Sequence, residues 1–158
     1  MASPLWARNS GARRGVAWCL AIAGLACSFP AAALEFRSVG APAAVLYDAP
    51  SLQGRKVALL NHGYPVEIVV TLGAWLKVRD ATGELAWIEA SRLSSERMVM
   101  LRVPRAPVHK APDDSAPVVF QAEQGLLLEL VDTLDNWAQV KHRDGLTGYI
   151  HITELWGI

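Results

Sequence analysis

Apolar residues recur at every second position in two stretches of the chain. Val66, Ile68 and Val70 alternate with Glu67 and Val69, and Leu126, Leu128 and Leu130 alternate with Leu127 and Glu129. A period of two is the signature of β-strands, and shorter runs of the same kind cover Trp75 to Arg79 and Leu85 to Glu89. Gly and Asp separate the runs. The segment Asp80-Ala81-Thr82-Gly83-Glu84 predicts a hairpin: if Asp80 pairs with Glu84, the loop has three residues with Gly83 at the left-handed position. His142-Arg143-Asp144-Gly145-Leu146 satisfies the same register.

The two hairpins belong to a repeat. Residues 44–95 and 106–157 align without a gap at a spacing of 62, with fourteen identities in 52 positions, among them Ala49, Pro50, Gly63, Glu67, Trp75, Val78, Gly83, Ile88 and Leu93. Two copies are too few for a solenoid, which needs three or more stacked units. Each copy is nevertheless large enough to close a small β core of its own. The simplest reading is two similar domains in tandem.

The hairpin register fixes side-chain direction, because directly opposed residues of an antiparallel pair point to the same face. Pairing Asp80 with Glu84 sets Leu76 against Ile88 and Val78 against Ala86, an aliphatic set for the core. Trp75 and Trp87 then share the opposite face as diagonal neighbours. Ala138, Val140, Gly148 and Ile150 form the matching inner set of the second copy, with Trp137 and Tyr149 outside.

Residues 1–33 read as a secretory leader. Arg8, Arg13 and Arg14 precede the apolar run "GVAWCLAIAGLA", and Ala31-Ala32-Ala33 offers small residues for cleavage. The run is about twelve residues long, short of the roughly 20 that a membrane span needs. Export to a periplasmic or secreted location is expected, with the mature chain starting at Leu34 and no membrane span. "GLAC", ending at Cys27, is the alternative: a lipoprotein processing site. The two domains are then expected at 34–94 and 98–158, joined by the polar Ser94-Ser95-Glu96-Arg97. Apolar Met98 to Val103 follows at once, so the domains are expected to pack together or share an edge strand. Leu155-Trp156-Gly157-Ile158 is expected to cover an open edge or the junction.

Composition narrows the chemistry. Cys19 and Cys27 lie in the leader, so residues 34–158 contain no thiol, and both thiol catalysis and a Cys-bearing zinc site are excluded from them. The remaining 12 basic and 15 acidic residues give a net charge of −3. A phosphate-backbone binder needs a basic surface, so nucleic acid and anionic lipid are poor partners. His62, His109, His142 and His151 show no metal-ligand spacing and read as solvated surface histidines. No nucleophile elbow is present. Asp113, Asp114, Asp132 and Asp135 read as turn residues. No catalytic residue, cofactor or metal site is expected, and the chain reads as a non-enzyme.

Together the Ala-Pro of each copy (Ala49-Pro50, Ala111-Pro112), Gly63 and Gly125, the Trp-x-x-Val strands (Trp75 to Val78, Trp137 to Val140), the Gly turn and the closing Trp/Tyr-Ile resemble the bacterial SH3-like (SH3b) domain family. The resemblance covers essentially the whole mature chain. Where the family typically carries Asn-Val-Arg before the Pro, this chain has Val45-Leu46-Tyr47 and Pro107-Val108-His109. The resemblance implies an all-β fold of two tandem small barrels, each of five strands. These are placed near 43–47, 56–60, 64–71, 75–80 and 84–89, with a helical turn at 90–93, and 62 residues further on in the second copy.

What remains for function is aromatic: Tyr47, Trp75 and Trp87 in the first copy, and Trp137 and Tyr149, with His109 and Trp156 nearby, in the second. One reading makes them an exposed groove, the surface on which SH3-type barrels hold extended peptides and on which rings stack on sugars. In the other reading, Lys77 and neighbouring loops cover the rings, or one copy packs its patch against the other. The resemblance implies a non-catalytic exported module that recognises peptidoglycan peptide or glycan. A structural or adaptor protein that binds another envelope protein is the alternative.

Overall fold

The computed structural model describes residues 34–158, so the expected leader lies outside the described residues. Fourteen strands form two seven-stranded antiparallel sheets, each rolled into a small barrel. The first contains β1 (Glu35–Val39), β2 (Ala43–Tyr47), β3 (Lys56–Asn61), β4 (Pro65–Leu72), β5 (Trp75–Arg79), β6 (Leu85–Glu89) and β7 (Leu93–Ser94). They lie in the order β3-β2-β6-β5-β4-β1-β7, with one turn of 3-10 helix, Ala90–Arg92, before β7. The second repeats this with β8 (Met98–Leu101), β9 (Arg105–His109), β10 (Val118–Glu123), β11 (Leu127–Leu134), β12 (Trp137–Lys141), β13 (Thr147–His151) and β14 (Leu155–Trp156). Its order is β10-β9-β13-β12-β11-β8-β14.

Five of the seven strands in each barrel stand where the resemblance implies them, three of them on the period-two runs. The strand count itself is corrected from five to seven. β1 and β8 lie upstream of the aligned repeat, and β7 and β14, two residues each, are too short to show a period. Strand β1 also hides from a hydrophobic pattern because Ser38 is buried in it (1% exposed). The Ser38 hydroxyl accepts the Met98 N–H at 3.0 Å, which makes a buried polar residue tolerable.

Each barrel has its own core. Val39, Leu46, Val66, Leu76, Val78 and Ile88 fill the first, and Val99, Leu101, Val108, Leu128, Val140 and Ile150 the second. The alternation predicted for β4 holds for Val66 but breaks at a bulge between Ile68 and Val70, after which Val69 and Val70 both face solvent. A bulge adds one residue to one strand and bends it. Strand β11 carries the same irregularity between Leu130 and Asp132.

The copies pack together and do not share a strand, since β8 pairs with β11 and β14 inside its own sheet. The chain end covers both an edge and the junction. Leu155 and Trp156 pair with Leu101 and Met100. The Trp156 indole crosses to the first copy, donating its N–H to the Pro65 carbonyl at 3.0 Å and standing edge-on to Phe36 with centroids 5.2 Å apart.

Candidate functional site: an aromatic face on each barrel

The β5–β6 hairpin has the predicted register. Trp75 opposes Glu89, Leu76 opposes Ile88, Lys77 opposes Trp87 and Val78 opposes Ala86. Asp80 builds the turn: its N–H donates to the Glu84 carbonyl at 3.0 Å, and its carboxylate accepts the N–H groups of Thr82 (2.8 Å) and Glu84 (3.0 Å). Gly83 sits at φ 92°, a conformation few L residues adopt. In the β12–β13 hairpin His142 donates to Leu146 at 2.8 Å and Gly145 has φ 89°. One consequence is that Leu76, Val78, Ala86 and Ile88 are buried while Trp75 and Trp87, on the other face, are half-buried.

In the first copy Tyr47 is covered, as in the second of the two readings of the patch. It is 7% exposed. At the end of β2, where that strand meets β6 opposite Trp87, its ring stands edge-on to Trp75 with centroids 5.5 Å apart at 88°. Tyr47 is thus the buried brace of the patch, and the tryptophans are its surface. The Lys77 Nζ lies 5.9 Å from the Trp87 ring centroid, within reach of a cation–π contact.

The second copy uses other residues to the same plan. His109, at the position of Tyr47, is 6% exposed and edge-on to Trp137 at 5.7 Å and 87°. The expectation of a solvated surface histidine is therefore wrong for His109, because it fills the slot of a bracing aromatic ring. Its Nδ1 lies 2.9 Å from the Ala116 carbonyl, so that nitrogen carries the proton and donates. Tyr149 pairs with His109 in the ladder as Trp87 does with Tyr47. His151, which sequence reasoning left outside the candidate set, lies 3.8 Å from Trp137 at 30°, nearly stacked on it, and its Nε2 donates to the Asp114 carboxylate at 2.9 Å. The only sequence signal for this pairing was that His151 opposes Trp137 in the register. Trp156 takes no part in either patch; its ring is committed to the junction.

The loop that carries Asp114 is held by its neighbour. The Asp113 carboxylate accepts the backbone N–H and the hydroxyl of Ser115, each at 2.8 Å. These bonds favour the ionised form and hold the Asp113 carboxyl below the usual carboxylate range. Each copy also carries one ion pair across the equivalent strands, β4–β5 and β11–β12: Glu67 with Arg79 at 2.8 Å and Glu129 with Lys141 at 3.1 Å, a feature the 62-residue spacing reproduces.

Clefts lie elsewhere. One at the junction, about 510 Å³, is lined by His62, Glu96, Met98, Leu127, His142 and Arg143 among others. Among the described residues no three His, Cys, Asp or Glu side chains gather in a way that could hold a metal ion. No helix among the described residues is long and apolar enough to cross a membrane.

Two tandem barrels with this strand order define an SH3-type architecture. The chain belongs to the bacterial SH3 domain family, whose model matches residues 40–95 and again 102–157. Members of the family are typically binding modules. Among solved structures it is similar to two proteins of Trichomonas vaginalis, NlpC2 and NlpC1, each at 20% identity, 78% coverage of this chain and TM-score 0.37. It is also similar to an NlpC/P60 family protein from Bacillus cereus at 14% identity, 77% coverage and TM-score 0.36. The matches cover 48%, 45% and 56% of those chains, so this chain spans about half their length. No curated protein sequence matched it.

Proposed function

We propose that the protein is a non-catalytic, exported binding module of the cell envelope whose ligand is peptidoglycan peptide or glycan. The observation that carries this reading is the outward aromatic face of the first copy, where Trp75 and Trp87 are half-buried on the side of the hairpin away from the core and Tyr47 braces Trp75 from below. Rings held in this way offer apolar area at little entropic cost, the property that makes tryptophan and tyrosine frequent hot spots in binding. Trp137 and Tyr149 form the counterpart in the second copy. The leader expected at residues 1–33 supports export; of the two barrels, at 34–94 and 98–158, the first carries the open face. Incubation of the purified protein with isolated sacculi tests the reading: co-sedimentation that falls in Trp87→Ala supports it, and no co-sedimentation by the wild type refutes it.

A second reading, an adaptor for another envelope protein, draws on a different feature. Strand β3 ends the first sheet and presents Leu59 (63% exposed) and Val57 (41% exposed). A free edge with apolar side chains is a template for an added strand. Retention of an envelope protein from extract by a Leu59-dependent contact, with no binding to sacculi, would favour this reading over the first.

A further inference from the structure

The two aromatic faces differ at one position that decides what Trp75 and Trp137 can hold. Both tryptophans are braced edge-on by a buried ring, Tyr47 at 5.5 Å and His109 at 5.7 Å, with interplanar angles of 88° and 87°. On Trp137 a further group is already seated. The His151 imidazole lies 3.8 Å away and nearly parallel, and the Asp114 carboxylate fixes it at 2.9 Å. A nitrogen-bearing planar group thus sits on the indole with a carboxylate at its polar end.

The 62-residue spacing carries His151 back to Glu89 and Asp114 back to Leu52. The first copy therefore lacks the imidazole and has a carboxylate in its place, while Leu52 is 62% exposed in the corresponding loop. Glu89 is the direct partner of Trp75 in the ladder, so both side chains leave the sheet on the same face. Among the described residues neither a second ring nor a cation stacks on Trp75, whereas Lys77 already lies over Trp87. The charged groups nearest Glu89 and this loop are accounted for. Arg92 reaches Glu89 at 3.4 Å, a long contact between side chains 51% and 29% exposed, and water screens such pairs. Asp48 is occupied by Arg55, whose N–H it accepts at 2.8 Å.

We propose that Trp75 and Glu89 form a subsite for the cationic side chain of an extended peptide, an ammonium or guanidinium group stacked on the indole and paired with the carboxylate. The corresponding place in the second copy is filled from within by His151. The inference rests on the aromatic face described under Proposed function and adds the charge its ligand carries. Cation–π attraction and a charge-assisted hydrogen bond act on the same group here, and the weak Arg92 contact is what the incoming cation displaces. Copy one is then the open site and copy two the self-occupied one.

Titration of the purified protein with the N-terminally acetylated tripeptide Ala-Lys-Ala amide, whose only cation is the lysine ammonium, and with its Nε-acetylated form, followed by indole fluorescence and by NMR of the indole N–H signals, tests the subsite. The charged peptide is expected to bind roughly tenfold more tightly than the acetylated one, shifting the Trp75 signal and leaving Trp137 in place. Glu89→Gln should remove the difference between the peptides. Glu89→His combined with Leu52→Asp, which builds the second copy's arrangement on Trp75, should abolish binding, and His151→Glu with Asp114→Leu should open a second site at Trp137. Equal affinity of the wild type for the two peptides overturns the proposal, as does an unchanged preference in a Glu89→Gln protein with a wild-type unfolding midpoint. The result is separable from the test of the envelope reading. Trp87-dependent sacculus binding with no preference between the peptides would remove the cation subsite alone, and lysine-selective binding with no affinity for sacculi would remove the envelope ligand alone.

Discussion

Trp156, two residues from the end of the chain, donates its indole N–H to the carbonyl of Pro65, 91 positions earlier, at 3.0 Å. Pro65 opens β4, a strand that pairs on both sides within the first barrel, so the second copy is tied to the first copy's interior ladder. Trp156→Ala removes this bond together with the edge contact on Phe36 and leaves the carbonyl without its protein partner. A loss of about 1 to 3 kcal/mol is expected. The loss should appear in the unfolding of the first copy although the substitution lies in the second, and Trp156→Phe should recover only the part due to ring contact. Urea unfolding followed separately by Trp75/Trp87 and by Trp137 signals measures this; a change confined to the second copy's transition contradicts the coupling.

Gly148 has no room for a side chain. A Cβ there would lie 2.6 Å from both the His109 carbonyl oxygen and the Val108 Cγ1, and one of the two is backbone. The first copy carries Ala86 at the same place, so the second barrel has closed more tightly around its own position. Gly148→Ala is expected to destabilise the second copy by about 1 to 3 kcal/mol through overpacking. An unfolding midpoint equal to wild type would show that β9 yields at no cost.

The hairpin faces were legible because the Gly83 and Gly145 turns force the same register twice, and a period of two then assigns every side chain between them. Tyr47 and His109 were not. Both end a strand where the sheet crosses, and a local pattern does not reveal that the ring beneath Trp75 or Trp137 is covered. Ser38 shows the same limit for the fold: it is buried because it bonds to Met98, sixty residues away, and no local alternation encodes that contact. The charge on position 89 as against 151 was visible as an ordinary surface difference, and only the stacked geometry of His151 gives it meaning.

Asp113 provides a pH-dependent test of the loop that holds His151. Its carboxyl is lowered from the ordinary value by the two Ser115 donors. For an acid with a depressed folded-state pKa, the stabilisation is present above the unfolded pKa and is lost as pH falls through the lower folded value. The loop order should therefore persist into the usual carboxylate range and fail only below it. Ser115→Ala removes the hydroxyl donor and keeps the backbone N–H, so it should return the Asp113 titration part of the way to its ordinary range and loosen the loop at a higher pH, seen as an earlier shift of the Trp137 indole signal in an acid titration. A titration of Asp113 unchanged by Ser115→Ala would remove this account of the loop.

The adjacent pair Trp87 and Ile88 separates the structural role of the hairpin from its binding role. Ile88 is 0% exposed, lies opposite Leu76 and is packed among Val66, Val78 and Leu46 in the first core. Trp87 is half-buried on the other face, with Lys77 above its ring. Ile88→Ala should cost about 2 to 5 kcal/mol through lost burial and the cavity left behind. That is a large part of the roughly 5 to 15 kcal/mol of a whole domain, so the first copy is expected to be partly unfolded. Trp87→Ala should cost clearly less and leave the barrel intact, while binding through the patch loses a contact of about 2 kcal/mol or more, near thirtyfold in affinity. Thermal unfolding of the two variants, beside co-sedimentation with sacculi, distinguishes the roles. If Trp87→Ala unfolds the barrel as severely as Ile88→Ala, the indole serves the fold and the aromatic face is not a binding surface. If the Trp87→Ala protein is folded and binds undiminished, the face exists and the ligand sits elsewhere.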